Sequence, residues 1–474
     1  MLSKKRIMFY LFVCCIIIAC ATPTAYYKNL NNLIVASRFS DAADLAERSK
    51  TKNYDEKNAL LYYLDKGYLL HLSGKYEESN LCFEKAKTIA KDYFTKSITT
   101  EASTLLVSDN TRPYYGEDFE RALIHIFCAL NYIYLKKESD AIVEAKQVDH
   151  FLKTLEVNYG IKNVYKEDPF ARYLMGMIYE NQKEYNDAYI SYYKALQSYQ
   201  QYGAMFNVSV PAELVNDTLR CAQKLGFTDE IKEIEKKWNV SSSEIKKISA
   251  DEGELVVIHY NGISPYKIDN FFEISFGKAW IYVGQVQPKG EEEAQVEQAR
   301  AIARNILSSE QVRMAFPKYV SSPYRISNFI VKQENSDVEK SGTLVENIGA
   351  IAEKSLESRN TAIHARTIAR AAIKFVLARK ISQAVEKKSG DAVVGWLAKK
   401  TLSVAATATE TADKRSWRSL PDQIRIAKIL LPQGSHSIKL TFEDKNGFII
   451  DEKNIENINI KPGKKTFITI RTAK

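Results

Sequence analysis

Four sets of residues in this chain have types and spacings that could do chemistry. A metal site draws His, Cys, Asp and Glu ligands from short helical or loop spacings. His71, His125, His150, His259, His364 and His436 stand singly, and none belongs to an H-E-x-x-H run. A serine followed three places on by lysine can pair a nucleophile with a base. Such pairs begin at Ser49, Ser191, Ser243, Ser264 and Ser275, without a companion K-T-G, and a lysine-rich chain produces them by chance. Glu117, Asp118 and Glu120 are clustered. Carboxylates held a fixed distance apart serve general acid–base catalysis, whereas acids just ahead of a helix answer its free N–H groups and dipole. The second role fits this cluster better. The run Asp413–Pro421 gathers Arg415, Trp417 and Arg418, residue types enriched at binding hot spots. Its alternative role is structural, with Trp417 filling a core and Asp413 pairing with an arginine at a crossover. There is no G-x-S-x-G elbow and no Walker loop, and 19 glycines leave little room for phosphate-cradling loops. The expectation is a non-enzyme without catalytic residues, metal or cofactor.

The elements that would position these residues begin with an export signal. Lys4-Lys5-Arg6 precede an apolar run, IMFYLFVCCIII, and then Ala19-Cys20. A cationic start, a short apolar stretch and a small residue before the cut make a secretory signal over residues 1–19. Twelve apolar residues make only ~18 Å of helix, too short to span a ~30 Å hydrocarbon core. The segment Ile17-Ile18-Ala19-Cys20 resembles the lipobox of bacterial lipoproteins, with Ile17 where leucine is commonest. That resemblance implies lipid on Cys20 and attachment to a membrane. Losing Lys4, Lys5 and Arg6 lowers the formal charge from +9 to +6. This mild surplus, without a basic block interleaved with aromatics, excludes a nucleic-acid partner. Cys82, Cys128 and Cys221 lie in helical patterns and are odd in number, so free buried thiols are expected.

Residues 20–245 read as a domain of helices in pairs, and 25–240 are expected to fold as an autonomous unit. Small and aromatic residues recur in register: Gly67, Tyr76, Ser79, Phe83 and Ala86, and again Gly176, Tyr185, Ala188, Tyr192 and Ala195. Phe39-Ala42-Ala46 and Ala129-Tyr132-Ala141-Ala145 give two further units, and Leu225-Gly226-Phe227 marks a degenerate fifth. Small residues let paired helices approach closely, and an aromatic on the same face fills the gap. The pattern resembles the tetratricopeptide repeat. The irregular spacing of its small positions predicts longer helices and an ordered loop or extra helix near 91–118.

After Trp238 the pattern changes to short alternating runs. Glu254–Tyr260, one or two strands in Phe271–Val286, and Tyr324–Gln333 predict a β-rich segment over 250–340, with a charged helix at Glu291–Leu307. Residues 343–412 carry apolar positions at helical spacing and are expected to be a helical insertion, packed on the β part or lying on a membrane. Residues 420–474 alternate again, with turns at Pro432-Gln433-Gly434 and Lys445-Asn446-Gly447, and would complete the β domain. The predicted fold is multidomain α+β: a TPR-like α-solenoid followed by a β-sandwich-like domain with a helical insertion.

Several runs carry a family resemblance: YGEDFER at 115–121, DPFARYLMG at 168–176, GELVV at 253–257, NGISP at 261–265, AFPKY at 315–319 and ADKRSWRSLP at 412–421. Together they resemble a little-characterised family of bacterial tetratricopeptide-repeat lipoproteins, sometimes encoded beside lipoprotein activators of penicillin-binding proteins. The resemblance implies a cell-envelope location and no particular activity. Ala21 after the lipidated cysteine, rather than Asp, favours the outer membrane. The expected role is a membrane-anchored scaffold that binds another envelope protein. The alternative is an accessory factor of cell-wall synthesis or envelope transport; an enzyme with an unfamiliar site ranks behind both. A repeat solenoid presents a concave groove. Asn131 and Arg172 are its candidate contacts, with Arg415, Trp417 and Arg418 as a second docking surface.

Overall fold

The structure, a computed structural model, describes residues 24–100, 110, 112–159, 165–246, 248–275, 311–334, 336–361, 411–474 and six single positions between 363 and 387. Helices α1 (Thr24–Val35) and α2 (Phe39–Arg48) form the first of five hairpins. They are followed by α3 (Ala59–Leu72) with α4 (Tyr76–Thr100), α5 (Asp118–Tyr134) with α6 (Glu138–Tyr159), α7 (Pro169–Asn181) with α8 (Tyr185–Phe206), and α9 (Ala212–Leu225) with α10 (Thr228–Trp238).

One backbone device closes all five hairpins. A residue in the left-handed region follows each first helix: Ser37, Gly74, Lys136, Lys183 and Gly226. The next N–H then reaches back five positions, from Arg38 to Leu33, Lys75 to Leu70, Lys137 to Tyr132, Glu184 to Tyr179 and Phe227 to Ala222, at 2.8–3.0 Å. This cap satisfies carbonyls that the helix end would otherwise leave free. The unit expected near Leu225-Gly226-Phe227 is therefore a true hairpin. Side chains repeat as well. A Cβ on Gly67 would meet Phe83 Cε1 at 2.7 Å, and one on Gly176 would enter the Tyr192 ring. Ala42, Ser79, Ala141 and Ala188 are all fully buried at the corresponding contact. The N-terminal region is thus a TPR-like helical repeat, and a sheet-rich region follows it.

The strands are β1 (Glu252–Asn261), β2 (Tyr266–Ser275), β3 (Gln311–Val320), β4 (Asn328–Gln333), β5 (Glu339–Ser341), β6 (Thr343–Asn347), β7 (Gln423–Pro432), β8 (Gly434–Glu443), β9 (Ile449–Ile460) and β10 (Lys465–Thr472). They make a first sheet of order β10-β1-β7-β6, a second of order β5-β4-β8-β9, and a β2-β3 ribbon. β1 pairs parallel with β10 and antiparallel with β7. Two features depart from the sequence expectation. Gln311–Val320 is a strand, and Thr343–Asn347, expected to begin the helical insertion, pairs with β7 instead. Helix α11 starts at residue 348 and runs through 361. Most of the expected insertion, and the helix expected at Glu291–Leu307, lie outside the described residues.

The sheet and the helices share one core. Val256, Ile258 and Tyr260 of β1, with Ile424 and Ile426 of β7, join the cluster formed by the helices. The alternate residues Leu255, Val257, Ala427, Ile429 and Leu431 face Phe329, Val331, Leu440 and Phe442 of the second sheet. A strand covered on both faces must be apolar on both phases, which is why β1 reads ELVVIHY. The helices expected to form an autonomous unit, residues 25–240, share this core with the sheet, and α3, α5 and α7 lie between the second helices and the strands. Every residue of α7 is buried.

Candidate functional site

The acidic cluster caps a helix. Glu117 and Glu120 form a capping box on α5, with the Glu117 N–H donating to Glu120 Oε2 at 3.0 Å. The Tyr114 hydroxyl also donates to Glu120 Oε2, at 2.6 Å, and the Trp417 N–H donates to Oε1 at 2.6 Å. Asp118 pairs with Arg121 at 2.6 Å, and Glu117 with Lys267 and Arg359. Burial raises the Glu117 carboxyl, but the Arg359 and Lys267 cations outweigh it and hold the group at about 2. Burial, then the Glu117 charge, push Glu120 up to about 7. Both are enclosed, and the bond from the Trp417 N–H to Glu120 ties the crossover to this helix end.

The predicted contact residues are structural in the main. Asn131 is fully buried: its amide oxygen meets His71 Nδ1 at 2.6 Å, and its nitrogen donates to Ser79 Oγ at 2.9 Å and Asn80 Oδ1 at 2.7 Å. Arg172 is buried and paired with Glu167 at 2.7 Å and Asp149 at 3.1 Å. Neither lines an open groove, because the first helices that carry them are covered. Trp417 is 1 % exposed, with Tyr68, Phe83 and Phe127 edge-on to its indole at 5.8–6.1 Å between ring centres. Its Nε1–H donates to Ser419 Oγ at 3.0 Å, and that hydroxyl donates to Asp65 Oδ1 at 2.6 Å. Trp417 is a core plug and offers no docking face. Arg415 is part-buried, paired with Asp413 at 2.7 Å and donating to the Arg112 carbonyl at 2.6 Å. Arg418 lies over Tyr27 and Tyr266, at 4.2 and 4.7 Å from the ring centres. Both arginines lock the crossover in place. Cys20 lies outside the described residues, and Cys82, Cys128 and Cys221 are free and buried.

Two features escaped the sequence reading. The first is a buried network where helices meet sheet. Glu180 of α7 and Asp217 and Arg220 of α9 join Glu254, Lys428 and Lys465 of β1, β7 and β10. The Tyr173 hydroxyl donates to Asp217 at 2.9 Å and the Tyr192 hydroxyl to Glu180 at 2.7 Å. Burial raises the Glu254 carboxyl, and the Lys428 and Lys465 ammoniums reverse this, leaving it at about 2. The available signal was Lys428, a charge on the inward phase of an alternating strand. The second feature is on the outer helix face. The sixth residue of each of three successive second helices is an exposed aliphatic: Leu81 at 66 %, Val143 at 54 % and Ile190 at 41 %. Among the described residues no helix is long and apolar enough to cross a membrane, and no three His, Cys, Asp or Glu side chains converge as a metal site.

The repeated caps and glycine–aromatic contacts establish the repeat. No protein-family model matches the chain, and no curated protein does. Among solved structures, it is similar to the nearly identical TPR-like repeats of a Podosopora anserina chain described as a kinesin light chain. That likeness covers 45 % of this chain and 92 % of that one, with 12 % identity and a TM-score of 0.29. A second structure of those repeats matches over the same shares with 11 % identity and a TM-score of 0.28.

Proposed function

We propose that this chain is a non-enzymatic protein-binding scaffold of the bacterial cell envelope, anchored by lipid on Cys20, whose contact surface is the outer face of its second helices. The observation that carries this reading is the recurrence of Leu81, Val143 and Ile190 at one register position. The inner face of a solenoid is its usual ligand surface, but here the chain's own sheet covers it. Substitutable surface remains on α4, α6 and α8, where exposed aliphatics are spaced by the repeat itself. Apolar surface rimmed by polar residues marks interaction sites. The partner would be another envelope protein, and the lipid would hold the scaffold at the membrane beside it.

The test is site-specific photo-cross-linking in cells. A cross-linker at Leu81 or Val143 should give one discrete adduct, lost when Ile190 is changed to Glu. Control cross-linkers at the exposed turn residues Lys75 and Lys183 should not give it. Equal adducts from controls and stripe would overturn the assignment of the surface. Metabolic labelling with a fatty-acid analogue tests the anchor: label should be present on the normal chain and absent from Cys20→Ala, and label persisting there would sink the lipobox reading. Stable attachment requires more than one acyl chain.

A further inference from the structure

A cavity of about 490 Å³ opens at the far end of the two sheets, where the start of β7, the segment 324–327 and the β8–β9 turn meet. Three cations line it: Arg325, Arg425 and Lys445. None of them forms an ion pair with a described carboxylate. Arg425 is the innermost. Its Nη1 donates to the Gly342 carbonyl at 3.3 Å, and its Nε is enclosed without any partner. One carboxylate, Asp444, also lines the cavity, so the lining carries three cations against one anion. Asp444 Oδ1 accepts the N–H groups of Asn446 at 2.8 Å and Phe448 at 3.0 Å, shaping the turn. Asp422 accepts the Tyr324 hydroxyl at 2.6 Å. A half-buried guanidinium lacking a counter-charge is unfavourable unless an anion joins it.

The turn that supplies Lys445 also supplies two consecutive apolar side chains. Phe448 is 67 % exposed and Ile449 59 %, which leaves the larger part of each in water. An anionic oxygen cluster beside an apolar layer is the chemistry of a lipid surface, with phosphates at headgroup depth and hydrocarbon just beneath.

We propose that this cavity binds the phosphate of an anionic lipid headgroup, with Arg425, Arg325 and Lys445 holding its oxygens and Phe448 and Ile449 entering the acyl boundary. This contact is separate from the acyl anchor on Cys20. It would fix which face the scaffold turns to the membrane.

Hydrogen exchange on the full chain decides the matter. The chain is bound to vesicles of phosphatidylcholine alone, or of phosphatidylcholine with phosphatidylglycerol. Amides of the turn 444–450 should exchange roughly tenfold more slowly on the anionic vesicles. That protection should vanish in Arg425→Gln and in Lys445→Gln, the second being an exposed change that spares the fold. Phe448→Ser should weaken it on the same vesicles. Equal exchange on both vesicle types overturns the proposal. So does protection by inorganic phosphate in detergent without protection by anionic vesicles, which would make the cavity a site for free phosphate. If Cys20 carries no lipid, the same readout with vesicles added in excess still tests the cavity, so the two readings can fail separately.

Discussion

Lys428 Nζ lies 2.5 Å from Asp217 Oδ2 and 3.0 Å from Glu254 Oε2, so one ammonium on β7 ties a carboxylate of the helical layer to one of its own sheet. All three side chains are buried. Removing a single member leaves uncompensated charge in a place water does not reach. Lys428→Met should therefore lower stability by ~3–5 kcal/mol, whereas replacing Asp217, Glu254 and Lys428 together by apolar residues of similar size should cost less than the sum of the single changes. Denaturant unfolding of the three single variants, the triple variant and the normal chain measures both.

Trp417→Ala should cost ~3–5 kcal/mol, because a fully enclosed indole leaves a cavity among Tyr68, Phe83 and Phe127. Trp417→Phe should cost less. A melting midpoint unchanged in Trp417→Ala would contradict the packing.

Gly176→Ala should destabilise the α7–α8 hairpin, since the added Cβ enters the Tyr192 ring. Ala188→Leu, at a fully buried helix contact, should cost ~1–3 kcal/mol through overpacking. Thermal unfolding of the full chain reads both, and Lys75→Ala, on an exposed turn, is the matched control.

The fragment 24–246 should be poorly soluble, although it contains every hairpin. Removing the sheet bares Tyr68, Phe127 and the charged residues Glu180 and Asp217. Large exposed apolar surface drives association. A monomeric fragment melting like the intact chain would show that the shared core contributes little.

Stability should fall as pH rises from about 4.5 to about 7, in the part that Glu120 controls. Its folded carboxyl titrates near 7 against an ordinary 4.5, so the native state holds the proton longer than the unfolded chain does. Asp65, raised by burial to about 6, adds to the same slope. Glu117 acts oppositely: held near 2, it loses its contribution only as pH drops below the ordinary 4.5. His71, lowered to about 4 by burial, opposes the Glu120 slope between about 6.5 and 4. Glu120→Gln should remove the Glu120 component. Unfolding free energies from pH 4.5 to 7.5 should then decline less steeply in the variant than in the normal chain.

Much of the architecture was legible because it is local. Small and aromatic residues sixteen apart, one on each helix of a hairpin, determine how two sequential helices pack, and they stand in the sequence as Gly67 with Phe83 and Gly176 with Tyr192. Alternation likewise announced β7 and β8, and a continuous apolar run announced β1. The acids at 117–120 read as a cap because capping involves neighbours in sequence. The site was less legible. Asn131 and Arg172 looked like groove residues only while the first helices were imagined facing water, and covering them takes strands more than a hundred residues away. The sequence by itself determined the hairpins, their register and most of the strands, through short-range sterics and backbone hydrogen bonding. Only the tertiary structure decided which helix face is surface. Burial depends on what long-range packing brings against a residue, and that placed the chain's own sheet on the inner face and left Leu81, Val143 and Ile190 in water.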